Sequence, residues 1–366
     1  MLRIPTFLLC LSLTLCAGPS AFAASKPNLV NHPVYATYPF AREGKVADFG
    51  TQPMAVPIGV VSAVMQHDQI LKKALAERGW EFRIHDFLKG PDINFFVQRG
   101  DLDLAVAGDS PTITFAASHD ITVVALAKQG FSAIVSKKFS RLEELKGKRI
   151  SVALNTTAHY GLLVALKNVG LKEADVTLVP IENNEMGEAL AQGRVDAFAA
   201  WEPILSNTLR MHPEFKVVQR FLNNSYLYFS RDFLKNNPET AELLIAAYIR
   251  ALRWMRQYDA NLIRAVEWNL ASSEKLLGKP PELSVQNVAK TTTEDILKIA
   301  HSPVVPRQDL STNGSIRRAF TFLQEQGKIP ANVPWEKIAA SFDRTLIDKV
   351  LANPKKYHLL EYNYEK

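Results

Sequence analysis

Short apolar segments alternate with amphipathic segments from Met54 to Trp201, and this alternation constrains the fold more than any other feature of the chain. Strands that alternate with helices build mostly parallel sheets whose faces are covered by those helices. The predicted strands are residues 56–61, 80–88, 102–107, 121–127, 131–135, 150–154, 176–179 and 195–199. The sequence therefore predicts an α/β fold.

The end of the chain has a different pattern. After a last predicted strand at residues 226–230, long amphipathic segments predict helices at 238–258, 259–270, 285–300, 316–326 and 335–351. We expect this C-terminal helical tail to cover one half of the molecule. Residues 24–49 are polar and irregular, and we expect them to form a flexible N-terminal arm.

The first 23 residues have the parts of a secretory signal peptide, namely basic Arg3, an apolar stretch at 7–17 and a small-x-small site at 21–23. We expect cleavage after residue 23 and export to the periplasm. Lipid anchoring at Cys16 is not expected, because Leu15 stands where such signals carry a small residue. The chain has two cysteines, Cys10 and Cys16, and both fall within this leader, which excludes cysteine chemistry from the mature protein.

Charge and hydropathy exclude two classes of function. The chain carries 43 basic and 37 acidic residues, and they are mixed along its length, which indicates a solvated surface rather than a nucleic-acid interface. No segment after the leader approaches the roughly 18 consecutive apolar residues that a membrane span requires. The net charge of +6 gives at most a mild attraction for anions.

Three strand ends combine an apolar strand, a turn of small polar residues and a helix. In open α/β sheets, ligands bind beyond the carboxyl ends of the strands, where helix N-termini present free N–H groups and favour anions. The first of these turns contains Asp109, Ser110 and Thr112. Ser110 fits the N-cap and Pro111 the first helical position, so Ser110 either binds a ligand or only caps its helix.

The second turn contains Asn155, Thr156 and Thr157, followed by Tyr160. One threonine can cap the helix while the other faces the crevice, and two hydroxyls with nearby N–H groups suit an oxyanion. The alternative is that this turn serves only its own helix.

The third turn places Trp201 beside Glu202. An indole and a carboxylate at a strand end offer an apolar wall and an acceptor for a ligand amine, whereas Trp201 taken alone fits a core position equally well. Two further ligand-binding candidates, Ser62 and Gln66, follow the first predicted strand.

Enzyme and cofactor signatures are missing from the sequence. It has no dinucleotide-binding glycine motif, phosphate loop, Gly-x-Ser-x-Gly elbow or His-Glu-x-x-His, and its histidines are not at metal-ligand spacing. We therefore expect no cofactor, no metal and no catalysis.

Several stretches together resemble the taurine, aliphatic-sulfonate and nitrate family of ABC-transporter solute-binding proteins. They are Gly100-Asp101-Leu102-Asp103, Gly108-Asp109-Ser110-Pro111, and residues 142–150, 156–163, 193–197 and 201–203. The resemblance implies a type II periplasmic-binding-protein fold, with two lobes joined by two crossings and the ligand between them. It places the anion-binding turns at Ser110 and Thr112 in one lobe and at Thr156 and Thr157 in the other.

On this reading, residues 50–130 and 222–366 form lobe 1 and residues 131–221 form lobe 2, with a break between their sheets. The expected ligand is a sulfonate, a taurine-like compound or a sulfate ester, and nitrate, a pyrimidine or another aromatic compound are alternatives. We expect a monomer that docks on ABC permease subunits. Two rival hypotheses are a small-molecule enzyme with Asp109 or Glu202 as a base, and a periplasmic sensor.

Overall fold

The computed structural model describes residues 29–40 and 44–365, and the predicted leader with Cys10 and Cys16 lies outside the described residues. Eight strands form one sheet in the order β2-β1-β3-β8-β4-β7-β5-β6. They are β1 Val46–Thr51, β2 Glu81–Asp86, β3 Leu104–Gly108, β4 Ile121–Ser136, β5 Arg149–Val152, β6 Thr177–Val179, β7 Ala197–Trp201 and β8 Lys216–Ser230.

The two long strands β4 and β8 form an antiparallel ribbon on which the other strands are arranged. Strands β1, β2 and β3 are parallel to one another, as are β5, β6 and β7. The first group joins the ribbon at residues 225–229 of β8, and the second joins it at residues 132–136 of β4. Two parallel groups therefore lie at opposite ends of the ribbon.

The prediction of a break between two sheets is wrong, because the paired strands β4 and β8 connect the two groups into one continuous sheet. Residues 121–127 and 131–135, predicted as separate strands, belong to the one strand β4, which contains bulges. The predicted lobe boundaries fall on two adjacent residue pairs of the ribbon, Gly130 with Asn223 and Phe131 with Leu222. The division into lobes itself stays a prediction.

The predicted start of the α/β region is wrong. The first strand, β1, begins within the segment expected to be a flexible arm and ends at Thr51. Residues 56–61 lead into helix α1, Ile58–Gln66. Helix α1 packs against tail helices and is buried from Ile58 to Met65, so it lacks the polar face that distinguishes an amphipathic helix from a buried strand. The described part of the arm also packs, since the buried Tyr35 hydroxyl donates to Asp92 at 2.8 Å.

Helices connect the strands and continue into the tail, which confirms the predicted α/β class with C-terminal helices. Before the tail they are α1, α2 Gln69–Ala76, α3 Gly90–Gln98, α4 Asp109–Ser118, α5 Thr157–Asn168, α6 Met186–Ala191 and α7 Ile204–Met211. In the tail they are α8 Arg231–Asn236, α9 Pro238–Gln257, α10 Asp259–Leu277, α11 Val285–Thr292, α12 Ser315–Glu325, α13 Trp335–Ser341 and α14 Thr345–Leu351. A π-helical turn, Thr293–Leu297, follows α11. None of the helices in the described ranges is long and apolar enough to cross a membrane.

Candidate functional site

A cavity of about 30 Å³ lies between the two groups of strands, where the three polar turns were expected to converge. Residues from both groups and from the ribbon line it. They are Gln52, Ala55, Ile58, Gly90, Gly108 and Pro111 from the first group, Thr156, Thr157 and Trp201 from the second, and Lys128, Asn223 and Ser225 from the ribbon. The cavity is thus bounded by the ends of strands and helices from both groups and by the middle of the ribbon.

Lys128 is the one charged side chain among these lining residues, and it is only 2% exposed. It follows a bulge in β4, its Nζ donates to the Val56 carbonyl at 3.3 Å, and the same Nζ lies 4.0 Å from Asp295 Oδ2. Burial lowers the pKa of Lys128, and the carboxylates of Asp295, Glu202 and Asp109 oppose that shift. A buried ammonium that faces a cavity can pair with an anion.

Sequence reasoning missed Lys128 and Asp295. Lys128 is the first charged residue after the apolar run 121–127, and this position at a predicted strand end was the sequence feature that could have marked it as a candidate. Asp295 comes from the π-helical turn of the tail, and its carboxylate lies so close to Gly130 that a Cβ there would be 2.0 Å from Oδ2. Burial raises the pKa of Asp295 to about 6, while Lys128 lowers it.

Asp109 begins α4 and crosses the crevice to the second group. Its carboxylate accepts from the Thr157 hydroxyl at 2.8 Å, the Ser110 N–H at 2.6 Å and the Asn224 N–H at 3.3 Å. Burial raises the pKa of Asp109, and these hydrogen bonds oppose the shift. The hydrogen bond from Thr157 to Asp109 therefore links the first group of strands directly to the second.

The two threonines of the second turn have different roles. Thr156 is the N-cap of α5, because its hydroxyl accepts from the His159 N–H at 3.4 Å and donates to the Ala153 carbonyl at 2.6 Å. Thr157 instead turns its hydroxyl into the crevice.

Two other candidates from this turn lie outside the cavity lining. Asn155 is exposed with a φ of 61°, and its N–H donates to a ring nitrogen of His159. Tyr160 is partly buried and packs edge-on against Phe322; burial raises the pKa of its hydroxyl.

The first turn differs from the prediction by two residues, since the N-cap of α4 is Gly108 and Ser110 lies inside the helix. The Thr112 hydroxyl donates to the Gly108 carbonyl at 2.8 Å, and neither Ser110 nor Thr112 lines the cavity. Gly108 approaches the second group so closely that a Cβ would be 2.3 Å from the Thr157 hydroxyl. The turn thus contributes backbone rather than hydroxyl groups.

Ser62 and Gln66 do not reach the cavity. The Ser62 hydroxyl pairs with Thr51 at 2.8 Å inside the first group, and Gln66 is exposed at the end of α1. Both were placed after a strand that is in fact a helix.

Trp201 ends β7 and lines the cavity while 8% exposed, so it is both packed and part of the wall. Glu202 follows it, accepts from the Ser206 N–H at 3.1 Å and acts electrostatically on Lys128. Trp201 also lines a second cavity of about 30 Å³ with Met54, Leu88 and Leu277. Leu277 of the tail helix α10 therefore lies near the indole.

Known proteins are similar to this chain in sequence and in fold. Residues 77–261, just over half of the chain, match the family described as NMT1/THI5 like. The taurine-binding periplasmic protein of Escherichia coli (strain K12) is 26% identical over 269 residues, which cover 67% of this chain and 78% of that protein. A putative aliphatic sulfonates-binding protein of Bacillus subtilis (strain 168) is 28% identical over 254 residues, covering 67% and 74% of the two chains.

The solved structures agree with the sequence relatives. The periplasmic aliphatic sulphonate binding protein of Escherichia coli has a TM-score of 0.61 at 20% identity, covering 83% of this chain and 99% of that one. The resemblance found in the sequence is confirmed. The chain belongs to the NMT1/THI5-like family, and its fold is that of the periplasmic binding proteins.

Proposed function

We propose that this protein is a periplasmic receptor of an ABC importer and captures a small organic anion between two lobes. The observation that carries the proposal is Lys128, a buried ammonium that faces a cavity between two walls. One wall contributes Gly108 and the N-terminus of α4, and the other contributes Thr157 and Trp201. The anion accepts from Lys128 and Thr157, while the indole of Trp201 covers its apolar part.

Hinge closure is the proposed mechanism of capture. Lobe 1 is residues 46–130 and 222–366, since β1 begins at Val46, and lobe 2 is residues 131–221. What supports this division is the ribbon, because β3 and β7 join it at opposite ends and only β4 and β8 continue between them. A cavity of about 30 Å³ is far smaller than the roughly 300–1,000 Å³ that is usual for small-molecule sites. A sulfonate therefore requires the walls to separate, and the ribbon is where that rotation would occur.

The proposed ligand is a sulfonate, a taurine-like compound or a sulfate ester. The names of the relatives support this class, since they include a taurine-binding protein and a putative aliphatic sulfonates-binding protein. The acidic side chains beside the cavity favour some members of this ligand class over others. Asp295 and Glu202 act on Lys128 from beside the cavity, so a ligand that carries an amine as well as the anion would be less repelled than an anion alone.

We propose binding without catalysis. The curated relatives named above are binding proteins, and Asp109, the candidate base, already accepts three hydrogen bonds. Among the residues that the structure describes, no group of histidine, cysteine and acidic side chains could hold a metal ion. Export to the periplasm and docking on membrane permease subunits complete the proposal.

A ligand panel tests the proposal. Melting temperatures of the protein are compared with taurine, alkanesulfonates, sulfate esters, nitrate and pyrimidines, and any hit is measured by titration calorimetry. A ligand at 100 times its Kd should add about 2.7 kcal/mol to the free energy of unfolding. Stabilisation by nitrate or a pyrimidine alone would contradict the sulfonate class, and turnover of any hit would contradict a binding role.

A further inference from the structure

A second pocket, of about 460 Å³, lies away from the Lys128 cavity, between α9, the loop 300–306 and α14. Arg253, Arg256, Arg344 and His301 line it. No acidic side chain is among its lining residues in the described part of the chain. The pocket is therefore concave and lined by positive charge, of which Arg344 pairs with Asp348 beside it at 3.2 Å.

Most N–H donors of these arginines are free for a ligand. A guanidinium has five donors. Arg256 gives two to the carbonyls of Ile296 and Leu297, whereas Arg253 gives one to a backbone carbonyl and Arg344 gives one to a carboxylate. Within the described ranges, Arg344 Nε and the hydroxyl of Ser302, which also lines the pocket, are buried without a hydrogen-bond partner.

Two of the arginines, Arg253 and Arg256, also repel each other. Burial lowers the pKa of Arg256, and the charge of Arg253 lowers it further. A bound anion would reduce this repulsion and accept from guanidinium N–H groups that make no hydrogen bond within the protein. Guanidinium groups match phosphate and sulfate oxygens in pairs of parallel hydrogen bonds, which makes a tetrahedral oxyanion the natural ligand.

We propose that this pocket binds the oxyanion of a small phosphorylated or sulfated molecule. Its volume is within the range of about 300–1,000 Å³ that is usual for small-molecule sites. The site uses none of the residues that line the Lys128 cavity, and it goes beyond the proposed transport role.

The probe is inorganic phosphate, added to the full chain at an ionic strength held constant with chloride, with the melting temperature and the apparent Kd as readouts. Arg253→Gln and Arg344→Gln are the test variants. Arg256 is left unchanged because it holds the π-helical turn. Arg264→Gln, at an exposed arginine of α10, is the matched control. Lys128→Met shows that the two sites are separate.

Phosphate should stabilise the unaltered protein, the Arg264→Gln control and Lys128→Met alike. Each test variant should bind it at least about tenfold more weakly, because a hydrogen bond to a charged group is lost. The proposal is overturned if chloride stabilises as well as phosphate or if Arg264→Gln weakens binding equally. Glycerol 3-phosphate should bind at least as tightly as phosphate; weaker binding would mean an adventitious ion only and would also overturn it.

Discussion

Lys128→Met removes the ammonium that faces the cavity and keeps most of the side-chain volume. Opposite charges about 4 Å apart attract by about 4 kcal/mol at an effective dielectric constant of about 20. The ligand loses hydration when it binds, so the net contribution of a hydrogen bond to a charged group is about 1.5–3 kcal/mol. The Kd for a sulfonate should therefore rise about ten- to a hundredfold.

The ion-pair partner of Lys128 requires a control. Without the ammonium, the pKa of Asp295, already raised by burial to about 6, rises further because the opposing charge is gone. The carboxyl group can then take up a proton, which limits the cost to folding. The double variant Lys128→Met with Asp295→Asn removes both charges and isolates the effect on binding.

Titration calorimetry at pH 7 with the best ligand of the panel measures the change, and circular dichroism confirms the fold. Both variants should bind weakly. If Lys128→Met binds within about twofold of the unaltered protein, Lys128 does not contact the ligand, and the proposed site is wrong.

Three other predictions concern single side chains. Thr157→Val should raise the Kd about three- to tenfold, measured by calorimetry. Thr156→Val should chiefly lower the free energy of unfolding, by about 0.5–2 kcal/mol in urea melts, since only Thr156 caps α5. The reverse pattern would contradict this assignment. Trp201→Ala should weaken binding about two- to tenfold, and unchanged affinity would mean that the indole is only core. The folded Asp295 carboxyl keeps its proton to about pH 6, whereas an unfolded one has lost it, so the free energy of unfolding should fall as pH rises from about 4 to 6. Asp295→Asn should make this fall smaller. Urea melts that showed the same pH dependence for the variant and the unaltered protein would refute this.

Local pattern was enough to predict much of the fold and part of the cavity. The strand, polar turn and helix around Thr157 are set by neighbouring residues, and so is the strand end at Trp201; both side chains line the cavity. The two adjacent threonines also left one for capping and one for the crevice, and the structure assigns these to Thr156 and Thr157 respectively.

Features that depend on distant contacts could not be predicted in this way. Strand β1 carries Asp48 in its middle, and only its buried pair with His85, at 2.7 Å, makes that residue compatible with a central strand. Asp295 lies 167 positions after Lys128 in the chain, within a tail that looked like packing alone. Ser62 and Gln66 were misplaced because a buried helix and a buried strand share the same apolar pattern.

The geometry also orders the contributions to affinity. The Thr157 hydroxyl has one hydrogen, so it can donate to Asp109 or to a ligand oxygen but not to both. When a ligand takes that donor, Asp109 keeps the N–H groups of Ser110 and Asn224, so the exchange leaves no buried acceptor unpaired. The gain at Thr157 is therefore small. The Lys128 Nζ lies 4.0 Å from Asp295 Oδ2, which is longer than a hydrogen bond. The ammonium can therefore donate to an added anion without giving up a hydrogen bond to Asp295. Affinity should therefore depend more on Lys128, which lies on the ribbon, than on the hydroxyls of the two walls.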